Sequence, residues 1–355
     1  MEFSKYTGAG NDFVITEARW PDEVGAPVAR HVCDRSTGVG VDGLALVWTI
    51  QPGRVGVRFF NPDGSAYGTC GNGTRCAARF ALARGLVDDS PLLIETSDSV
   101  ITAEVDGERV DLEYRMPVEV VRSIPVEGPF GPAEGWLVNI GVPHFVVPLD
   151  SRPEGSIENV CRRIRYDPAL GPGGANVSLV SLEDRTRGSI RTFERGVEGE
   201  VLACGSGAMA AGFALRSAGL CEPGIDLRVM GGCDLRIRVP DGPEPDGDYR
   251  LNLAGPAVHL FDGRFPEPQP GLAGEAGTGR ARKPGAVGTV VAAAGTDAGV
   301  AETAAVAGTA VAAATASTRR TPHRRRRPTS TSSPCSPRSR RNSTPATTTW
   351  PHPRH

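Results

Sequence analysis

The sequence predicts an α+β protein made of two similar halves, and three observations carry that prediction. Several short segments alternate apolar and polar residues with the period of two expected of a half-buried strand. Two other segments place apolar residues four apart and stop at a glycine, as helices do. Finally, Cys-Gly-x-Gly opens both helical segments, at Cys70 and again 134 residues later at Cys204.

The strand pattern occurs at Val55-Gly-Val-Arg-Phe-Phe60, Val110-Asp-Leu-Glu-Tyr114, Ser189-Ile-Arg-Thr-Phe193 and Leu235-Arg-Ile-Arg-Val239. Strands of this kind imply a mostly antiparallel sheet with one wet face. The first helix is expected over residues 71 to 84, with Cys76 and Phe80 on one face and Gly85 at the cap. The second is expected over residues 205 to 218, with Met209 and Phe213 on one face and Gly219 at the cap.

The halves align over more than the cysteines. Both capping glycines lie 15 residues after their cysteine. Phe60-Asn61 lies 10 and 9 residues before Cys70, and Phe193-Glu194 lies 11 and 10 before Cys204, so one inserted residue reconciles them. Asp42 and Asn176 each follow a glycine-rich turn, each 28 residues before its cysteine. Upstream, Gly10-Asn11 matches Gly141-Val142. This period is too long for a solenoid and suits two domains, 1–117 and 118–258. If these face each other about an approximate two-fold axis, Cys70 and Cys204 enter one cleft from helix N-termini.

Composition removes other classes. Gly 45 and Pro 30 among 355 residues exclude a coiled coil. The absence of a long apolar run, and a start (MEFSKYTGAGNDF) without a basic region followed by an apolar one, imply a cytoplasmic protein and no membrane partner. From Glu267 onward, 13 Lys and Arg against 4 Asp and Glu give a net +9, which leaves 26 against 37, a net −11, on residues 1–266. Residues 267–355 read as a disordered low-complexity tail, or as a shifted reading frame. Its Arg324 to Arg327 cluster is the only feature suited to nucleic acid, which is not the expected partner. Eight cysteines without a C-x-x-C pair read as thiols, with no metal site. Packing accounts for Cys33, Cys76, Cys161, Cys221 and Cys233.

A cysteine at a helix start meets orphan N–H groups and the positive end of the dipole, which favour the thiolate. The glycines that follow let backbone amides approach an anion such as a carboxylate. Two such sites around one carboxylate would stabilise the charge formed when the adjacent carbon loses its proton. A thiolate on one face and a thiol on the other can then invert that carbon, titrating as a coupled pair. Pyridoxal phosphate, the usual alternative, needs a lysine, and residues 1–266 contain only Lys5. No cofactor is expected.

These residues resemble the diaminopimelate epimerase family over residues 1 to 265. The resemblance rests on Gly8-Ala-Gly-Asn-Asp-Phe13, Asp34-Arg-Ser-Thr-Gly-Val-Gly-Val-Asp-Gly43, Phe60-Asn-Pro-Asp-Gly64, Cys70-Gly-Asn-Gly-Thr-Arg75, Gly141-Val-Pro-His144, Asn176-Val177, Glu194-Arg-Gly196 and Ala203-Cys-Gly-Ser-Gly207. It implies two α+β domains, each a curved, barrel-like sheet around a central helix, with the active site between them and the last strand, about 259–266, returning to the first domain. It further implies epimerisation of LL-diaminopimelate to the meso form, in lysine biosynthesis, without a cofactor. Cys70 and Cys204 would be the acid and base, and the amides of Gly71, Asn72, Gly205 and Ser206 would hold the α-carboxylate. Asn11, Asn61, Asn176 and Arg195 would bind substrate amino and carboxylate groups, chiefly at the distal end, while His144 and Glu194 would assist beside the thiols. The partner is thus a small amino acid, and a homodimer fits.

The chain departs from the family in placing Val142 where Gly-Asn-Pro-His is usual. Val142 offers no side-chain hydrogen bond, and a substrate group left unpaired there would cost roughly 1 to 3 kcal/mol. That keeps open a racemase of another free amino acid on the same fold, and more remotely a non-catalytic scaffold. Gly43, where some members have glutamine, is a lesser change. Ser97-Asp-Ser99 replaces a stretch that often carries glycine.

Overall fold

The computed structural model describes residues 1–18, 21–128 and 131–265; the expected tail lies outside them. The first half contains β1 (Glu2–Gly8), β2 (Asn11–Glu17), α1 (Pro21–Val32), β3 (Gly43–Gln51), β4 (Arg54–Phe60), β5 (Ala66–Tyr67), α2 (Gly71–Ala83), β6 (Leu92–Glu95), β7 (Val100–Asp106) and β8 (Arg109–Met116). The second contains β9 (Glu119–Gly128), β10 (Gly131–Asn139), β11 (Pro143–Leu149), α3 (Glu158–Arg165), β12 (Asn176–Leu182), β13 (Arg187–Glu194), β14 (Gly199–Val201), α4 (Gly205–Ser217), β15 (Gly224–Arg228), β16 (Asp234–Arg238) and β17 (Tyr249–Pro256), with β18 (Val258–Arg264) last.

Pairing follows one rule twice. β1–β2, β3–β4, β4–β5, β6–β7 and β7–β8 are antiparallel, while β2–β3 and β4–β6 are parallel. β10–β11, β12–β13, β13–β14, β15–β16 and β16–β17 repeat the antiparallel set, and β11–β12 and β13–β15 the parallel one. The mostly antiparallel sheet thus contains four parallel pairs, each joined through one helix, because a parallel connection needs a crossover. β9 flanks β10 as β18 flanks β1, and Met1 and Phe265 exchange backbone hydrogen bonds of 2.9 and 2.8 Å. β8 pairs antiparallel with β17 and joins both halves into one sheet, with Leu112 opposite Leu253.

The helix expectations hold to within one residue. α2 touches β1, β2, β3, β4, β6, β7 and β8, which a sheet can do only by curving around it, and α4 likewise meets β10, β11, β12, β16 and β17. Gly85 and Gly219 end the two helices at φ +69 and +73, where the next residues, Leu86 and Leu220, donate back to Ala81 and Leu215 carbonyls.

Two expectations are corrected. β4 and β13 lack a wet face, because α1 and α3 cover their outer sides: Val28, Ala29 and Val32 pack with Leu44, Leu46 and Phe60, and Ile157, Cys161 and Ile164 pack with Phe145, Leu179 and Phe193. Burying each such phenylalanine contributes about 1.5–3 kcal/mol. The matching of Asp42 with Asn176 is off by one. Leu44 pairs with Phe60 and Val177 with Phe193, both pairs facing the outer layer, so Gly43 is the true counterpart of Asn176. The same register makes Phe13, opposite Gly43, the counterpart of His144, opposite Asn176.

Candidate active site

The duplicated motif builds two nearly identical helix starts. Cys70 caps α2 at φ −128, ψ 114 and Cys204 caps α4 at φ −119, ψ 108; each sulfur accepts a 3.4 Å hydrogen bond, from Gly73 N–H and Gly207 N–H respectively. The starts nearly touch: a Cβ on Gly205 would lie 3.8 Å from Gly71 Cα, and a Cβ on either glycine would meet the same Leu253 Cδ2 at 2.9 Å. Asn72 Nδ2 spans the gap to the Ala203 carbonyl at 3.4 Å.

Both cysteines line a cleft of about 470 Å³ together with Asn11, Gly71, Asn72, Glu194, Gly205 and Ser206. Asn11 reaches it from the Ala9-Gly10 turn, which has positive φ at both residues, and donates to the buried Asp42 carboxylate at 2.9 Å. The rest of the wall includes Asp98, Val100, Tyr114, Arg115, Met116, Ile140, Val142 and Met209. Of these, the sequence marks Val142 and the Asp98 stretch as departures from the family and Met209 as a helix-face residue, none with a role in the site. Tyr114 carried only a strand pattern, since nothing local says which inward residue of a strand meets a cleft.

His144, Asn176, Asn61 and Arg195 stand outside this lining. Asn176 Oδ1 accepts Arg195 N–H at 2.7 Å, which turns its amide nitrogen toward His144 Nε2 at 3.3 Å. That nitrogen is therefore an acceptor, and the Ser206 hydroxyl lies 3.0 Å from it and 3.4 Å from the Cys204 sulfur. Asn61, in the turn after β4, donates to Ser65 Oγ at 3.0 Å, and the Arg195 guanidinium lies toward Gly173.

Electrostatics overturn one expectation. The helix starts do not make the resting thiols acidic, because burial opposes charge more than the nearby backbone N–H groups favour it. Cys70 is pushed up to about 11 by burial, and Cys204 is raised well above its ordinary value by burial and by the Glu194 carboxylate hydrogen-bonded to it. Burial also raises Glu194 to about 7 and lowers His144 to about 3, the latter helped by the Arg195 charge, so the imidazole is neutral. Among the described residues no group of His, Cys, Asp or Glu is arranged to hold a metal ion, and no helix is long and apolar enough to cross a membrane. Cys33, Cys76, Cys161 and Cys221 are buried and Cys233 half-buried, in core positions.

The sequence model of diaminopimelate epimerase matches residues 3–118 and 136–242, on both sides of the cleft. The chain belongs to the diaminopimelate epimerase family. A diaminopimelate epimerase of Desulforudis audaxviator is 36% identical over 284 residues, covering 75% of this chain and 99% of the relative. One from Hydrogenobaculum sp. is 34% identical over 278 residues, covering 74% and 98%. A crystal structure of a probable proline racemase from Agrobacterium radiobacter shares the fold, with a TM-score of 0.55 at 15% identity over 75% of this chain and 93% of that one. Within the diaminopimelate epimerase family, this member has a cleft wall at Val142 that is apolar, beside Ile140.

Proposed function

We propose that this protein epimerises LL-diaminopimelate to meso-diaminopimelate by proton transfer between Cys70 and Cys204, as a step of lysine biosynthesis in the cytoplasm. The observation that carries the reading is the pair of cysteine-capped helix starts in backbone contact within one cleft. The amides of Gly71, Asn72, Gly205 and Ser206 hold the α-carboxylate and stabilise the added charge when the α-carbon is deprotonated. Glu194, bonded to Cys204, takes the thiol proton and leaves a thiolate. That thiolate removes the α-proton, the carbanion takes a proton from the Cys70 thiol on its opposite face, and the reverse reaction exchanges the roles. Ser206, held by His144, orients the Cys204 side. Asn11 meets the distal amino-acid end from the cleft wall, and Asn61, Asn176 and Arg195 complete its binding as the cleft contracts around substrate. Domains 1–117 and 118–258, with β18 returned to the first, are the units that contract.

The test is α-proton exchange in heavy water, followed by NMR, with reduced protein, LL-diaminopimelate and a panel of free amino acids. Exchange with diaminopimelate is the expected result. Exchange only with another amino acid would retain the two-thiol chemistry and transfer the substrate, the alternative that Val142 favours. No exchange with any substrate would refute the reading.

A further inference from the structure

The reaction treats the two faces of the carbon alike, but the two cysteines have unlike surroundings. Beside Cys204 stand Glu194, Ser206 and, one step back, His144; their counterparts in the first half are Asn61, Asn72 and Phe13. Nothing in that first set can take a proton from Cys70. What the first half has instead is Arg75, matched by Met209 in the second.

Arg75 is fully buried. Its Nη2 donates to Asn72 Oδ1 at 2.7 Å and its Nε to the Pro256 carbonyl at 3.3 Å, while Nη1 has no hydrogen-bond partner among the described residues. Nη1 would lie 3.9 Å from a Cβ on Gly71, the residue after Cys70. Because a guanidinium only donates, Asn72 must present its oxygen to Arg75 and its amide nitrogen to Ala203, the residue before Cys204. The largest charge effects on Arg75 come from weak acids, Cys76, Tyr114, Cys70 and Cys233, and among the described residues no carboxylate forms an ion pair with it. Of these four only Cys70 and Tyr114 line the cleft. A buried cation with no counter-ion is costly, and it favours whichever neighbour can become an anion.

We propose that Arg75 is a positioning residue that charges Cys70: a fixed buried cation that stabilises its thiolate and anchors Asn72, where the second half uses the proton acceptor Glu194 for Cys204. The two thiols thus reach the same charge by different means. The titratable and charged groups facing Cys70 include Arg75 and Cys76 on α2, Glu194 on β13, Tyr67 on β5, Tyr114 on β8 and, in the same cleft, Cys204 at the start of α4. The inference rests on the two-thiol reading, but its test needs no substrate.

The experiment is alkylation of the intact protein with iodoacetamide across pH 6 to 10, with Cys70 and Cys204 quantified separately by mass spectrometry. Arg75→Gln keeps hydrogen-bonding capacity and loses charge; Arg75→Lys keeps charge. Expected in Arg75→Gln is a loss of roughly tenfold in Cys70 alkylation and a shift of its pH profile upward, with Cys204 within about twofold of wild type, and in Arg75→Lys a profile near wild type. Glu194→Gln removes the carboxylate that raises Cys204, so it is expected to shift the Cys204 profile downward in pH and to leave Cys70 within about twofold of wild type. The proposal is overturned if Arg75→Gln slows both cysteines alike, if Cys70 is unaffected, or if Lys behaves like Gln. Should Arg75→Gln fail to fold by thermal melting, Arg75→Lys against wild type still decides, since loss of the Cys70 profile with charge retained contradicts it. Wild-type protein silent toward every amino acid would refute the proposed function and leave the alkylation result standing.

Discussion

Glu194 and His144 are buried a few ångströms from the same sulfur's surroundings and are displaced in opposite senses, one toward its acid form and one toward its neutral base. Because folding raises Glu194 to about 7, its contribution to stability is complete below about pH 4.5 and is lost as pH rises through 7. His144 behaves in the reverse way: lowered to about 3, it contributes above about 6.5 and loses that contribution as pH falls. Glu194→Gln removes only the first effect. Chemical denaturation at pH 4.5 and 7.5 should show the variant gaining about 3 kcal/mol relative to wild type at the higher pH; a constant difference would mean that Glu194 is solvated. In catalysis, replacing either Cys70 or Cys204 by alanine should lower epimerisation, measured as conversion of the LL to the meso isomer, by about 10² to 10⁴, since each direction needs both groups, and a single variant of near-normal turnover would remove that cysteine from the mechanism. At this scale much of the site was legible in the chain: Cys-Gly-x-Gly twice is enough to place two sulfurs at two helix starts. The thiol acidity was not, because the helix dipole is local and readable whereas burial depends on everything folded around it.

At the scale of elements, Leu253 on β17 is a single wedge between two helices. An alanine Cβ at Gly71 or at Gly205 would press the same methyl group, so each substitution should cost about 1–3 kcal/mol by overpacking. The double variant should cost less than the sum, because the leucine once displaced clears both positions. Denaturant melts of the four proteins measure the coupling, and strict additivity would show that the two helix starts do not share the wedge. α2 and α4 could be read from sequence because glycine ends both sharply. α1 and α3 could not. α1 carries Gly25 and Pro27 inside it, both poor helix residues, and α3 has only 8 residues and an Ile157 cap that makes no side-chain bond. Since these helices also cover β4 and β13, missing them is what made those strands look half wet.

Across the whole molecule, the strands of the two halves end at Arg264, and the family match ends before it. Deleting residues 267–355 should therefore leave α-proton exchange within about twofold of the full chain, as expected where the residues that form the core and cleft are retained; a large loss would assign the tail a part in the site. The β8–β17 pairing has a different weight. With β18 counted in the first half, it is the one strand pair that joins the halves among the described residues, and it sets two equivalent strands side by side and antiparallel, as an approximate two-fold axis between them requires.

The exchange of hydrogen bonds between Met1 and Phe265 brings the end of β18 beside the start of β1. β9 opens the second half in sequence, while its counterpart β18 serves the first half from the far end of the chain. Moving β18 to the front would make each half contiguous, two copies in a row of one gene segment that begins with its own outer strand. That order should still fold: residues 258–265 joined ahead of Met1 through a two-residue turn, in a chain that ends at Ala257, should give a protein with the same melting behaviour and the same exchange activity.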